Sequence, residues 1–166
     1  MSTAALPSVL DPAQALFLAG PVAINAASRS PALVPSVARA YGCRVGADRR
    51  TVTLFLAEAR AGAMLRDLEE GGPIAALFSR PKTHVSLQLK GERAEILPVT
   101  AADRQLMLAY SATFATEIMA LGYAADFAQA MVRGSGEAAV GVRFIVGTAF
   151  EQTPGPRAGE RLGSGA

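Results

Sequence analysis

Pro73–Gly91, PIAALFSRPKTHVSLQLKG, constrains the fold more than any other stretch of the chain. Ile74–Phe78 is an unbroken apolar run behind a proline, the pattern of a strand buried on both faces and opened at its first residue. It belongs inside a barrel or sandwich. Ser79-Arg80-Pro81-Lys82-Thr83-His84 follows as a turn-forming, cationic connection, after which Val85, Leu87 and Leu89 alternate with Ser86, Gln88 and Lys90. One face of that strand goes to the core and the other carries polar groups. An apolar wall beside a basic loop suits an anionic or heteroaromatic ligand.

The rest of the chain supplies partners for this strand pair. Met1–Leu10 has no pattern and reads as loose; Asp11-Pro12 then offers a cap and a first-turn proline for a short helix that Gly20-Pro21 ends. Val22, Ile24 and Ala26 alternate in a first strand, and Pro35–Val45 forms a second. There the period of two puts Val37, Tyr41, Cys43 and Val45 on one face with Arg39, whose guanidinium must reach solvent or meet an anion. Across the turn Ala47–Arg50, Thr51–Leu56 pairs back as a hairpin. Ala61, Met64, Leu65 and Leu68 define a crossover helix over Glu58–Glu70.

Beyond the central pair, a fifth strand runs from Val85 to Leu97, with a break near Gly91, and Pro98 stops it. Thr100 and Asp103 open a helix in which Met107, Tyr110, Phe114, Ile118 and Leu121 make one core stripe. A second helix covers Tyr123–Arg133, and Ala138–Phe150 is a last strand with both faces mostly buried. The expected architecture is α+β: a closed, six-stranded antiparallel β-barrel with flanking helices, which leaves no exposed edges. It divides into an N-terminal segment with a short helix (1–21), one barrel domain (22–152) and a disordered tail (153–166).

Composition narrows the function. With 51% hydrophobic and 18% charged residues, some apolar surface is expected to enter an oligomer interface. A net charge of +2, with no basic face interleaved with aromatics, points to neither a nucleic-acid nor a membrane partner. One cysteine, Cys43, one histidine, His84, and no Cys/His cluster give no disulfide, no metal site and no nucleophilic triad. No apolar run approaches the roughly 18–20 residues of a membrane span, so a cytoplasmic protein is expected.

The stretch PSVARAYG (Pro35–Gly42), the strand TVTLFLAE (Thr51–Glu58), the helix after it and SRPKTHVSLQLKG (Ser79–Gly91) resemble the pyridoxamine 5'-phosphate oxidase-like proteins, the flavin-binding split β-barrels. The likeness extends from about Ala19 to Thr148. It implies a homodimer with FMN in the groove between subunits, so that the barrel domain is an FMN-binding one. It implies cofactor contacts at Ser36, Val37, Ala38 and Arg39 of the second strand, at Phe55, Leu56 and Ala57 of the third, and at Arg60 and Gln88. Arg80, Lys82, Thr83 and His84 form a second basic cluster for substrate or phosphate. Two positions depart from the family pattern: Glu58-Ala59-Arg60 replaces a hydroxyl followed by paired basic residues, and Val85 follows Thr83-His84 where arginine is common. The implied activity is flavin-dependent hydride or electron transfer between a nicotinamide and a small acceptor. The alternatives are a non-enzymatic dimer that takes haem, with His84 as ligand, or another planar anion, and a structural dimer with a vacant groove. The tail lacks the basic, aromatic segment that pyridoxamine phosphate oxidation needs.

Overall fold

The structure, a computed structural model, describes residues 10–162. Asp11 caps α1 (Pro12–Leu18), its carboxylate accepting from the Gln14 amide while the Gln14 side chain accepts from the Asp11 amide. Leu10, just ahead, is buried and its amide donates to the Arg49 carbonyl, so the loose segment expected over Met1–Leu10 is anchored at its last residue; the remainder lies outside the described residues.

Among the described residues nine strands, not six, make one antiparallel sheet in the order β6-β7-β3-β2-β1-β4-β5-β8-β9. They are β1 (Ala23–Arg29), β2 (Pro35–Val45), β3 (Thr51–Ala57), β4 (Ile74–Ser79), β5 (Ser86–Gly91), β6 (Ala94–Pro98), β7 (Ala139–Ile145), β8 (Thr148–Glu151) and β9 (Arg161–Leu162). The two long strands expected near the C-terminal half are each broken at a corner. The chain leaves β5 at Gly91 to pair β6 with β7, and leaves β7 at Val146-Gly147 to pair β8 with β5. Gly91 is required there, because a Cβ would lie 2.8 Å from the Phe144 ring and 2.9 Å from the Ile145 carbonyl oxygen. The amide of Gly147 donates to the Lys90 carbonyl at 2.8 Å, which joins the two halves at this corner. The hydrogen-bonded order still ends at β6 and β9, so the ladder is curled rather than closed. The tail also departs from expectation: Glu151 and Gln152 anchor its start and β9 pairs with β8, while residues 163–166 lie outside the described part.

The inner face is mainly apolar. Ile24, Ala26, Ala38, Ala40, Leu54, Leu56, Ile74, Ala76, Phe78, Leu87, Leu89, Val142, Phe144 and Ala149 are all buried. One end is plugged by α2 (Glu58–Glu69), through Ala61, Met64, Leu65 and Leu68 as its periodicity predicts. Outside, α3 (Ala101–Met119) lies over β2, and α4 (Ala125–Val132) packs beside it, followed by a 3₁₀ turn, Arg133–Gly136. The box of Thr100 and Asp103 caps α3, and Arg44 of β2 pairs with Asp103. The stripe Met107, Tyr110, Phe114 and Ile118 is buried as expected, but Leu121 lies beyond the helix and is exposed. On β7, Arg143 and Ile145 face outward, so only one face of that strand is buried.

Candidate functional site

A β-bulge in β2 decides which residues face the outside. The pairing of β2 with β3 shifts between Ala40 and Cys43, with Gly42 at φ +129° on the bulge. An extra residue at this point inverts the alternation, so Ala38 and Ala40 point into the barrel with Cys43 and Val45, while Val37 and Arg39 point out. The single face expected for Val37, Arg39, Cys43 and Val45 is thereby corrected: Cys43 is buried, Val37 is 68% exposed, and they lie on opposite sides.

Arg39 begins a row that crosses the outer face. It pairs with Asn25, Asn25 with Leu77, Leu77 with Gln88, and Gln88 with Phe150. Directly opposed residues share a face, so these side chains line one strip. Toward β2 the strip runs under α3, where the Arg39 guanidinium lies 5.0 Å from the centre of the Phe114 ring. Its Nε and Nη2 are buried and have no hydrogen-bond partner. Tyr110, stacked on Phe114, gives its hydroxyl proton to the Val22 carbonyl at 2.8 Å; burial pushes it up to about 12 against the pull of Arg39's charge. Across β1, β4, β5 and β8 no helix among the described residues covers the strip: Asn25 is exposed, and Leu77, Gln88 and Phe150 are partly so. Two guanidinium N–H groups without acceptors thus lie buried at the rim of an open, partly apolar sheet face, where their unmet donors are the feature that calls for an acceptor.

The other sequence-selected residues are placed differently. Ser36 faces inward and hydrogen-bonds the Asp67 carboxylate on α2. Phe55, Leu56 and Ala57 are wholly buried; Phe55 lies outside the barrel but under α3, next to Gly42 and Arg44, and Leu56 lies inside. Arg60 is held by Glu137, a residue 77 positions away, with its Nε 2.9 and 3.0 Å from the two carboxylate oxygens. That pair holds the Glu137 carboxyl below the usual range. Arg80 donates to Glu117 at the far end of α3, at 3.1 Å from Nε. Lys82, Thr83 and His84 stand exposed on the β4–β5 turn, His84 with φ +59°. The structure therefore brings Arg39 and Gln88 together, with Asn25 and Leu77 between them, two residues the sequence did not single out. Only the strand register could have found them.

The start of α2 does not suit a phosphate. Its first amide, of Glu58, already donates to the Ala138 carbonyl at 2.9 Å, a carboxylate stands in the first turn, and Arg60 of that turn is paired with Glu137. Cys43 is equally poor as a nucleophile, since burial pushes its thiol up to about 12. Among the described residues no three His, Cys, Asp or Glu side chains gather as a metal-ligand set, and no helix is long and apolar enough to cross a membrane.

No family model and no curated protein matches the sequence. Solved structures do match. HupZ of Group A Streptococcus superposes with a TM-score of 0.55 over 90% of this chain and all of that one, at 19% identity. An F420 reductase superposes at 0.53 over 81% and 93%, at 13% identity. A candidate pyridoxamine 5'-phosphate oxidase from Lactobacillus delbrueckii superposes at 0.52 over 85% and 93%, also at 13% identity. The chain has the fold of the pyridoxamine 5'-phosphate oxidase-like split barrels. Within this split barrel the bulged β2, the outward Arg39 and the open sheet beside it are the candidate site.

Proposed function

We propose that this split barrel is a homodimer that grips FMN between its two copies, the flavin ring lying against the Arg39–Gln88 strip, and that it works as a flavin-dependent oxidoreductase. The observation that carries this reading is Arg39. Leaving two buried N–H donors unpaired costs about 1–3 kcal/mol each, and a ring acceptor that reached them would remove that cost. Gln88 presents an amide that can both donate and accept, as the edge of a flavin ring requires. Phe114 packs on the guanidinium at 5.0 Å, so a ring that slid in beside it would meet donors already held in place. Leu77 and Phe150, partly exposed in the single chain, supply apolar surface that a ring and a second copy would cover.

When bound, FMN would supply hydride acceptance and donation between a nicotinamide and a small acceptor; the protein's part is to bind, orient and exclude water. No side chain in the strip has the chemistry of a covalent catalyst, which accords with a cofactor-borne reaction. The test is the visible spectrum of freshly purified protein, followed by mass analysis of what denaturation releases. Flavin bands and a released mass equal to FMN are expected. A colourless protein that also fails to bind added FMN at about 100 μM would end the proposal.

A further inference from the structure

We infer that the phosphate of this flavin is held by Arg29 and Lys90, in a hollow on the same open face, and not at the start of α2. The inference rests on the FMN reading above and assigns the anionic end of that ligand. Next to the Arg39–Gln88 strip runs a second outward row, in which Val37 pairs with Ala27, Ala27 with Ala75, and Ala75 with Lys90. The two rows are two residues apart along each strand, roughly 7 Å. The ribityl chain between ring and phosphate bridges a step of that size.

The second row is shaped for such a group. Ala27, Ala75, Pro73, Arg29 and Lys90 line a hollow of about 290 Å³, in which the two alanines are paired neighbours on β1 and β4, Lys90 stands opposite Ala75 on β5, and Arg29 is two residues on from Ala27 on β1. Small side chains leave the space empty, whereas valine or leucine at 27 or 75 would fill it. No carboxylate lines it. Among the described residues neither cation is paired with one: Arg29 makes a long 3.5 Å contact from Nη1 to the Ser30 carbonyl, and the Lys90 ammonium lies 5.0 Å from the Phe150 ring centre. Two positive groups with unused donors that line one small-residue hollow match a phosphate monoester in charge and in donor number. By contrast, the start of α2 has spent both its first amide and its arginine on the protein's own acceptors.

The test is fluorescence titration of FMN and of riboflavin, which has the ring and ribityl chain but no phosphate, against the wild type, the double variant Arg29→Gln/Lys90→Gln and Arg60→Ala. Circular dichroism of each variant checks the fold, which these exposed positions should not disturb. The double variant is expected to lose at least about tenfold in FMN affinity while riboflavin affinity stays within about twofold, and Arg60→Ala should alter neither. Loss of FMN affinity in Arg60→Ala but not in the double variant would overturn the inference and leave the FMN reading standing. Equal losses for FMN and riboflavin in the double variant would also overturn it, because the hollow would then not be reading phosphate. Absence of saturable binding of either flavin by the wild type would overturn the FMN reading itself, and this assignment with it.

Discussion

At the scale of the residue, Arg39 separates ligand binding from stability. A half-buried guanidinium with two unpartnered donors is a poor stabiliser, and an apolar side chain of similar length would pack against Phe114 without that penalty. Arg39→Met is therefore expected to hold or raise the free energy of urea unfolding, by up to about 2 kcal/mol, while weakening FMN binding about tenfold or more. A variant that unfolds more easily than wild type would show that the arginine's contacts with Phe114 and Tyr110 outweigh the cost of its two unpaired donors. Asp48 is the opposite kind of residue. In the β2–β3 turn its carboxylate accepts from the Arg50 and Thr51 amides at 3.0 and 2.9 Å and from the Thr51 hydroxyl at 2.7 Å. These bonds lower its pKa from an ordinary 3.8 to about 2. A depressed carboxyl stabilises the fold fully above its unfolded pKa and loses that contribution as pH falls from 3.8 toward 2. Since the turn is exposed, Asp48→Ala should cost only about 1 kcal/mol at pH 7, and the difference from wild type should vanish near pH 2 in acid-unfolding curves.

At the scale of the element, the most demanding contact lies where the 3₁₀ turn meets β2. A Cβ at Gly134 would sit 2.3 Å from the Tyr41 ring and hydroxyl. Gly134→Ala should therefore destabilise by about 1–3 kcal/mol in thermal or urea unfolding. A neutral result would mean that the turn stands off the strand. These two segments are 93 residues apart in number only because the chain builds β3 to β6 and the helices α2 to α4 between them, and that distance explains what could be read from sequence. Features that depend on near neighbours were legible: the Asp11 and Thr100 caps, the buried stripe of α2, and the alternation of Leu87 and Leu89. The bulge at Gly42 was not, because a strand's parity is inverted by its partner's register and β2 alone continues to alternate. Neither was the corner at Gly147, where the apolar run continues through a change of partner. The candidate site suffered most from this. Arg39 and Gln88 were legible as residue types in a resembling segment, but Arg60's commitment to Glu137 and Arg80's to Glu117 are long-range pairings with no local signal.

At the scale of the whole molecule, the asymmetry of cover on the sheet organises the account. α3 lies over β2 with α4 packed beside it, whereas Val37 on β2 is exposed and the outer side of β1, β4, β5 and β8 stays open, with Leu77 and Phe150 partly exposed there. A second copy laid on that face would bury this surface and enclose both the Arg39 strip and the hollow beside it. Replacing Ala27 or Ala75, which line the hollow, with arginine should therefore weaken self-association and flavin binding together, as read by light scattering and FMN titration. Sedimentation equilibrium of the protein with FMN, followed in the flavin's visible band, tests the central claim most directly. The account predicts that the flavin sediments with the mass of two 17.1 kDa chains, one flavin per chain. Flavin that remains with the buffer, or that sediments with a single chain, would contradict it.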